Sequence, residues 1–78
     1  MPATRAFILI ETSVGKTKEV VSALNQISGV HSVNVVTGGY DIITIVEAAD
    51  LVILGDAVTN HIHTIPGIIR TQTCIAVN

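Results

Sequence analysis

The sequence predicts an α+β domain of order β-α-β-β-α-β, a four-stranded antiparallel sheet with both helices on one face. Three observations predict it. Short runs of strand-forming residues alternate with stretches whose apolar residues recur at helical spacing. The chain repeats weakly: Ile27-Ser28-Gly29-Val30 returns 38 residues on as Ile65-Pro66-Gly67-Ile68, and the same offset pairs Val20 with Val58 and Leu24 with Ile62. The composition is 49% hydrophobic and 13% charged over 78 residues. That is more apolar material than one small core needs, because a chain of this size buries only about 60–65% of its unfolded surface.

Ala6–Glu11, A-F-I-L-I-E, is short and apolar and reads as the first strand. Thr12–Gly15 is a polar break. Lys16–Ile27 carries Val20, Leu24 and Ile27 on one helical stripe, with Gly29 where a helix C-terminal glycine belongs. Val30–Thr37 is the second strand, Gly38-Gly39 interrupts, and Tyr40–Ala48 is the third. Asp50 is an N-cap residue for a second helix with Leu51, Leu54, Val58, Ile62 and Ile65 on its apolar stripe, ended by Pro66-Gly67. Ile68–Val77 is the fourth strand.

Two interlocked strand-helix-strand halves give the ferredoxin-like split β-α-β, with strands one and three central. The polar strands fit the edges: His31, Ser32 and Asn34 lie in the second, and Arg70, Thr71, Gln72 and Thr73 in the fourth. Strand three is apolar on both sides, with Ile42, Thr44 and Val46 on one and Ile43 and Ile45 on the other. Strand one splits likewise into Ala6, Ile8, Ile10 and Phe7, Leu9. Two helices cover one face only, and an antiparallel sheet with a wet face normally alternates apolar with polar. The second face therefore calls for a cover. A four-strand face spans roughly 400 Å² in plan, and burying it is worth up to about 10 kcal/mol before association entropy is subtracted. A second copy, packed face to face as an isologous dimer, is the expected cover.

Gly38-Gly39 suits a two-residue hairpin turn between strands two and three. The same turn exposes backbone N–H groups that can hold a carboxylate. Tyr40 and Asp41 follow directly and offer a phenol and an anion for an amine. An α-amino acid needs that combination, and the turn reading does not compete with it.

The series I-S-G-V at 27–30, V-x-G at 36–38, G-Y-D at 39–41 and P-G-I-x-x-T-x-T at 66–73 resembles the effector-binding (RAM) domain of Lrp/AsnC-type regulators over nearly the whole chain. The resemblance implies a ferredoxin-like domain that dimerises through its sheets, dimers assembled into rings, and amino acids bound in clefts between dimers. Carried over by position, the effector loop is Thr37, Gly38, Gly39, Tyr40 and Asp41, with Thr71 and Thr73 of strand four contributing from near the cleft. Full-length members carry an N-terminal helix-turn-helix, whereas strand one here begins within a few residues of Met1. The resemblance thus implies a stand-alone effector domain over residues 1–78, acting as an amino-acid sensor or through mixed assembly with full-length Lrp/AsnC-type regulators.

Other classes find less support. The formal charge is −2, and Arg5, Lys16, Lys18 and Arg70 form no basic stripe, so direct nucleic-acid binding is not expected. Gly15-Lys16-Thr17 imitates the end of a phosphate-binding loop, but Ile10 stands where that motif needs its first glycine. His61 and His63 lie two apart, a spacing that does not face one direction on a helix, so no metal is assigned. Cys74, in an apolar run, is expected to be a small buried hydrophobe. No cofactor and no catalytic residue is assigned, since the acids Asp41, Glu47, Asp50 and Asp56 have no nucleophile partner at a catalytic spacing. The competing function is a small dimeric enzyme of the same fold, isomerase- or monooxygenase-like. The scarcity of His, Tyr and Arg to line an internal cavity weighs against it. A third reading is a structural partner with an empty effector site. The opening residues lack the pattern of a signal peptide and the apolar segments are interrupted by polar residues, so a soluble cytoplasmic protein without a membrane span is expected.

Overall fold

The computed structural model describes residues 3–77; Met1, Pro2 and Asn78 of the expected 1–78 domain lie outside the described residues. The elements are β1 (Thr4–Thr12), α1 (Thr17–Leu24), β2 (Val30–Val35), β3 (Ile42–Ala48), α2 (Leu51–Ala57) continued by a π-helical turn (Val58–Ile62), and β4 (Ile68–Ile75). The strands form one antiparallel sheet in the order β2-β3-β1-β4, with β1 and β3 central. This is the predicted ferredoxin-like arrangement.

β1 pairs with β3 from Thr4–Ala48 to Ile10–Ile42. On the helix side, Ala6, Ile8, Ile10, Ile42 and Val46 meet Val20 and Leu24 of α1 and Leu54, Val58 and Ile62 of the second helical segment in one core. The centres of the expected stripes therefore bury, with Ile27 and Ile65 partly buried beside them, and these side chains fill the space between helices and sheet. Thr44 is a buried polar residue in this layer, and its hydroxyl donates to the Ser32 carbonyl at 2.6 Å.

The internal repeat is real at the level of hydrogen bonds. Ile27 N–H reaches the Leu24 carbonyl and Ile65 N–H the Ile62 carbonyl, both at 3.1 Å. Gly29 and Gly67 follow with φ of +94° and +100°. At Gly29 a side chain is excluded twice, since a Cβ would stand 3.0 Å from the Glu47 carbonyl. Glu47 N–H in turn donates to the Gly29 carbonyl at 2.9 Å, which stitches this bend to β3.

Several boundaries differ from expectation. α1 stops at Leu24, not Ile27, because its last turns tighten to three-residue bonds, Gln26 to Ala23 and Ile27 to Leu24. Gly29 thus ends a looser exit and not the helix itself. The second helix is not uniform. Leu54, Val58 and Ile62 recur every four residues, which overshoots the α-helical turn by about 40° per step. The π turn, closed by His63 N–H on the Val58 carbonyl at 2.9 Å, takes up that overshoot and keeps Ile62 on the sheet. Leu51, expected on the buried stripe, is 59% exposed, because α2 starts at the margin of the sheet, three residues after β3 ends. Asp50 caps it as expected, its Oδ1 accepting from Ile53 N–H at 2.9 Å. β2 and β4 each end two residues short of the predicted strand, and β3 begins at Ile42, not at Tyr40. Cys74 is exposed, not buried: it stands opposite Phe7 on the face without helices. Among the described residues, no helix is long and apolar enough to cross a membrane.

Candidate functional site

Within the link between β2 and β3, the Val36–Asp41 pair encloses a four-residue loop, Thr37-Gly38-Gly39-Tyr40, and not the expected two-residue turn. Val36 N–H donates to the Asp41 carbonyl at 2.9 Å and closes it. Gly38 alone of the pair has positive φ, +124°, where a primed type I turn would need two such residues. A Cβ on either glycine would meet nothing within 4 Å, so the top of the loop is open space.

The C-terminal end of this open loop is fastened on two sides. Asp41 N–H donates to the Ile10 carbonyl at 2.9 Å. Its Oδ2 accepts from Thr12 N–H at 2.8 Å and from the Thr12 hydroxyl at 3.3 Å. Thr12 is buried, and its hydroxyl also shares a 2.9 Å hydrogen bond with Thr17 at the start of α1. The carboxylate thus satisfies a backbone donor at the end of β1; Oδ1 takes part in neither bond. On the other side Tyr40 reaches across β1, and its hydroxyl donates to Gln72 Oε1 of β4 at 2.9 Å. The Arg70 guanidinium lies 4.9 Å from the centre of the Tyr40 ring, while Arg70 Nε sits 3.2 Å from Glu11 Oε1.

The fold divides the predicted site residues. Thr37, Gly38, Gly39, Tyr40 and Asp41 are together at one end of the sheet. Thr71 and Thr73 stand opposite Ile10 and Ile8, hence on the helix side of edge strand β4. Thr71 Oγ1 is 2.8 Å from His63 Nε2, and Thr73 is exposed. The β4 residues that meet the loop are Gln72 and Arg70, which the sequence reading passed over. Their signal was period two: Gln72 lies between the threonines, so it faces the other way, as does Arg70. His63, Ile68, Ile69, Arg70 and Thr71 line an open cleft of about 260 Å³ at the β4 edge. His61 lines a different cleft, with Gln26, Ile27 and Ser28, so the two histidines diverge.

The face without helices carries Phe7, Leu9, Ile43, Ile45 and Cys74 at its centre. Phe7 is 37% exposed and the isoleucines are half-buried. Ion pairs frame this patch, Glu11–Arg70 at the loop end and Arg5–Glu47 at the other. Arg5 Nε and Nη2 both bond Glu47 Oε2, at 2.8 and 2.6 Å, and His31 Nδ1 is 3.9 Å from Oε1. The Arg5 hydrogen bonds hold the Glu47 carboxyl below its ordinary value, against partial desolvation and aided by the Arg5 and His31 charges.

The chain is thus a small ferredoxin-like domain with an anchored, glycine-topped loop at one end of its sheet and a framed apolar face. The family model for the Lrp/AsnC ligand binding domain matches residues 5–78, and the chain belongs to that family. FFRP-DM1, of known crystal structure, is 39% identical, with 95% of this chain and 99% of that one covered and a TM-score of 0.91. AsnC of E. coli is 26% identical with a TM-score of 0.91; 96% of this chain aligns with 51% of that one. The feast or famine regulatory protein Rv3291c of M. tuberculosis, solved as a complex with L-methionine, is 25% identical with a TM-score of 0.81, 96% and 50% being covered. No curated protein matches the chain. The chain thus spans about half the length of these last two structures. The family is the ligand-binding part of transcriptional regulators, which points to binding and not to catalysis.

Proposed function

We propose that this chain is a cytoplasmic amino-acid sensor that pairs through its open sheet face, assembles further as a ring of dimers, and acts on transcription with full-length Lrp/AsnC-type regulators. One observation carries the reading: the Thr37–Tyr40 loop is closed by the Val36–Asp41 hydrogen bond and anchored through Tyr40 and Asp41, while its glycine backbone stays open. Fixed N–H donors of this kind bind a carboxylate without an ordering cost at the moment of binding. Thr37, Gly38 and Gly39 offer the backbone donors, Tyr40 its phenol, and Asp41 the oxygen not used on Thr12. Thr71 and Thr73 enter from β4, across a cleft between dimers. The L-methionine complex of Rv3291c supports an amino acid as the ligand class. The half-exposed apolar face, framed by ion pairs, supports a second copy as its cover.

Thermal melting with each of the twenty amino acids tests the sensor. A ligand present at a hundredfold its Kd adds about 2.7 kcal/mol to the folded state. A saturable rise in Tm is expected for one or a few amino acids, and it is expected to shrink in Asp41→Ala. A flat response to all twenty would remove the proposal.

A further inference from the structure

The outer edge of β4 lacks the devices that usually guard an edge strand. At the opposite edge, β2 is six residues long and its line is broken by a register shift between Val30 and Ser32. β4 is eight residues long, with no proline, no lysine and Arg70 as its one charge. Its register with β1 shifts only near its start, and it runs regularly from Arg70 to Ile75. All of its residues but Ile68 and Thr71 are exposed.

The register also tells which backbone groups face outward. Ala76 N–H donates to the Arg5 carbonyl at 2.9 Å, and Arg5–Ala76 continues the Ala6–Ile75 pairing. Opposed residues of an antiparallel pair exchange hydrogen bonds at every second position. Cys74, Gln72 and Arg70 therefore bond inward to β1. Thr71, Thr73 and Ile75 turn their N–H and C=O groups away from it. Ile10 of β1 obeys the same alternation, since its carbonyl accepts from Asp41 N–H on the β3 side.

We propose that β4 pairs with β4 of a second copy, antiparallel about a twofold axis at Gln72, and that this is the contact between dimers. The proposal rests on the ring-of-dimers part of the reading above and gives that ring its second interface. Outward groups must meet outward groups, and a twofold at Gln72 satisfies this. Thr71 then bonds the partner's Thr73, and Thr73 the partner's Thr71, a favourable cross-strand pairing. Gln72 opposes the partner's Gln72, and Arg70 the partner's Cys74. The two Arg70 residues stay about 13 Å apart along the ladder, so no like charges are opposed. Thr71 and Thr73 of both copies then stand side by side on the helix side, with His63 held 2.8 Å from Thr71. Each copy thus completes the other's share of the cleft between dimers. The open face and the β4 edge are separate self-complementary surfaces, and two such contacts can alternate around a ring.

Residue-resolved amide hydrogen exchange on the unmodified chain tests the contact. It is measured where sedimentation shows species above the dimer, and again after dilution to the dimer. In the dimer β4 should show a period of two, with Gln72 and Cys74 slow and Thr71 and Thr73 fast. In the larger assembly Thr71 and Thr73 should slow at least about tenfold. Thr73→Pro removes an outward N–H and no bond to β1. It should weaken assembly beyond the dimer about tenfold or more and leave the dimer intact. A period of two that persists in the larger assembly would overturn the β4 contact and leave the ring to another surface. So would a Thr73→Pro variant that assembles like wild type. Absence of any species above the dimer at millimolar concentration would overturn the contact and the ring together.

Discussion

The two faces of the sheet are built from the same strands, yet they reach different ends. On the helix face, Ala6, Ile8, Ile10, Ile42 and Val46 are fully buried within one chain. On the other, Phe7, Leu9, Ile43 and Ile45 are left half-covered, and charged pairs stand at both ends of the patch. Part of the surplus of apolar residues over core volume thus gathers on one sheet face, while Leu51, Val52 and Ile53 of α2 are exposed elsewhere. The helix face is closed by residues already present. The open face has the chemistry of the rim and centre of an interface.

The largest effect should come from the closed face. Ile42→Ala removes methylenes from a site with no exposure, and should cost about 2–5 kcal/mol in urea unfolding. Ile45 is its counterpart on the open face. Ile45→Lys should leave the subunit fold intact and weaken self-association about a hundredfold or more, read by sedimentation equilibrium, because it replaces apolar burial with a buried unpaired charge. If wild type and Ile45→Lys sediment alike as monomers, the face has no second copy on it, and the contrast between the faces loses its functional meaning.

Much of this contrast was legible before any coordinates, because side-chain alternation is local. The two-sided apolarity of Ile42–Val46 and the repeat linking Val20 with Val58 need only spacing to be seen. Helix ends were less legible. Whether Leu24 or Ile27 closes α1 depends on three-residue bonds that differ little in sequence signal from a further helical turn. The π turn was hidden for a related reason: the stripe at 54, 58 and 62 fits a helix by eye, and its overshoot shows only when each side chain must meet the sheet. The site was least legible. Tyr40 finds Gln72 across 32 residues and one intervening strand, and only the β1–β4 register sets Gln72 and not Thr71 on that face. Cys74 reads as buried because its neighbours are apolar, but it lies on an edge strand toward the face that this chain does not cover.

The smallest effect concerns the pair that frames the open face, and it sharpens the comparison through pH. Glu47 has its carboxyl lowered, first by the hydrogen bonds from Arg5. A group with a depressed folded value stabilises the fold above its unfolded value, and that contribution is lost as pH falls through the folded one. Stability should therefore decline on the acid side of the ordinary carboxylate range, and Glu47→Gln should flatten that limb of a urea-unfolding series against pH. The pair is partly exposed, so salt should screen it in a dilute, dissociated sample. In an assembled sample, a second copy over Phe7 and Ile45 would shield the ends of the patch as well, and the same acid limb should respond less to salt. Equal salt sensitivity at both concentrations would place Arg5 and Glu47 outside the covered area, and would confine the interface to the apolar centre of the face.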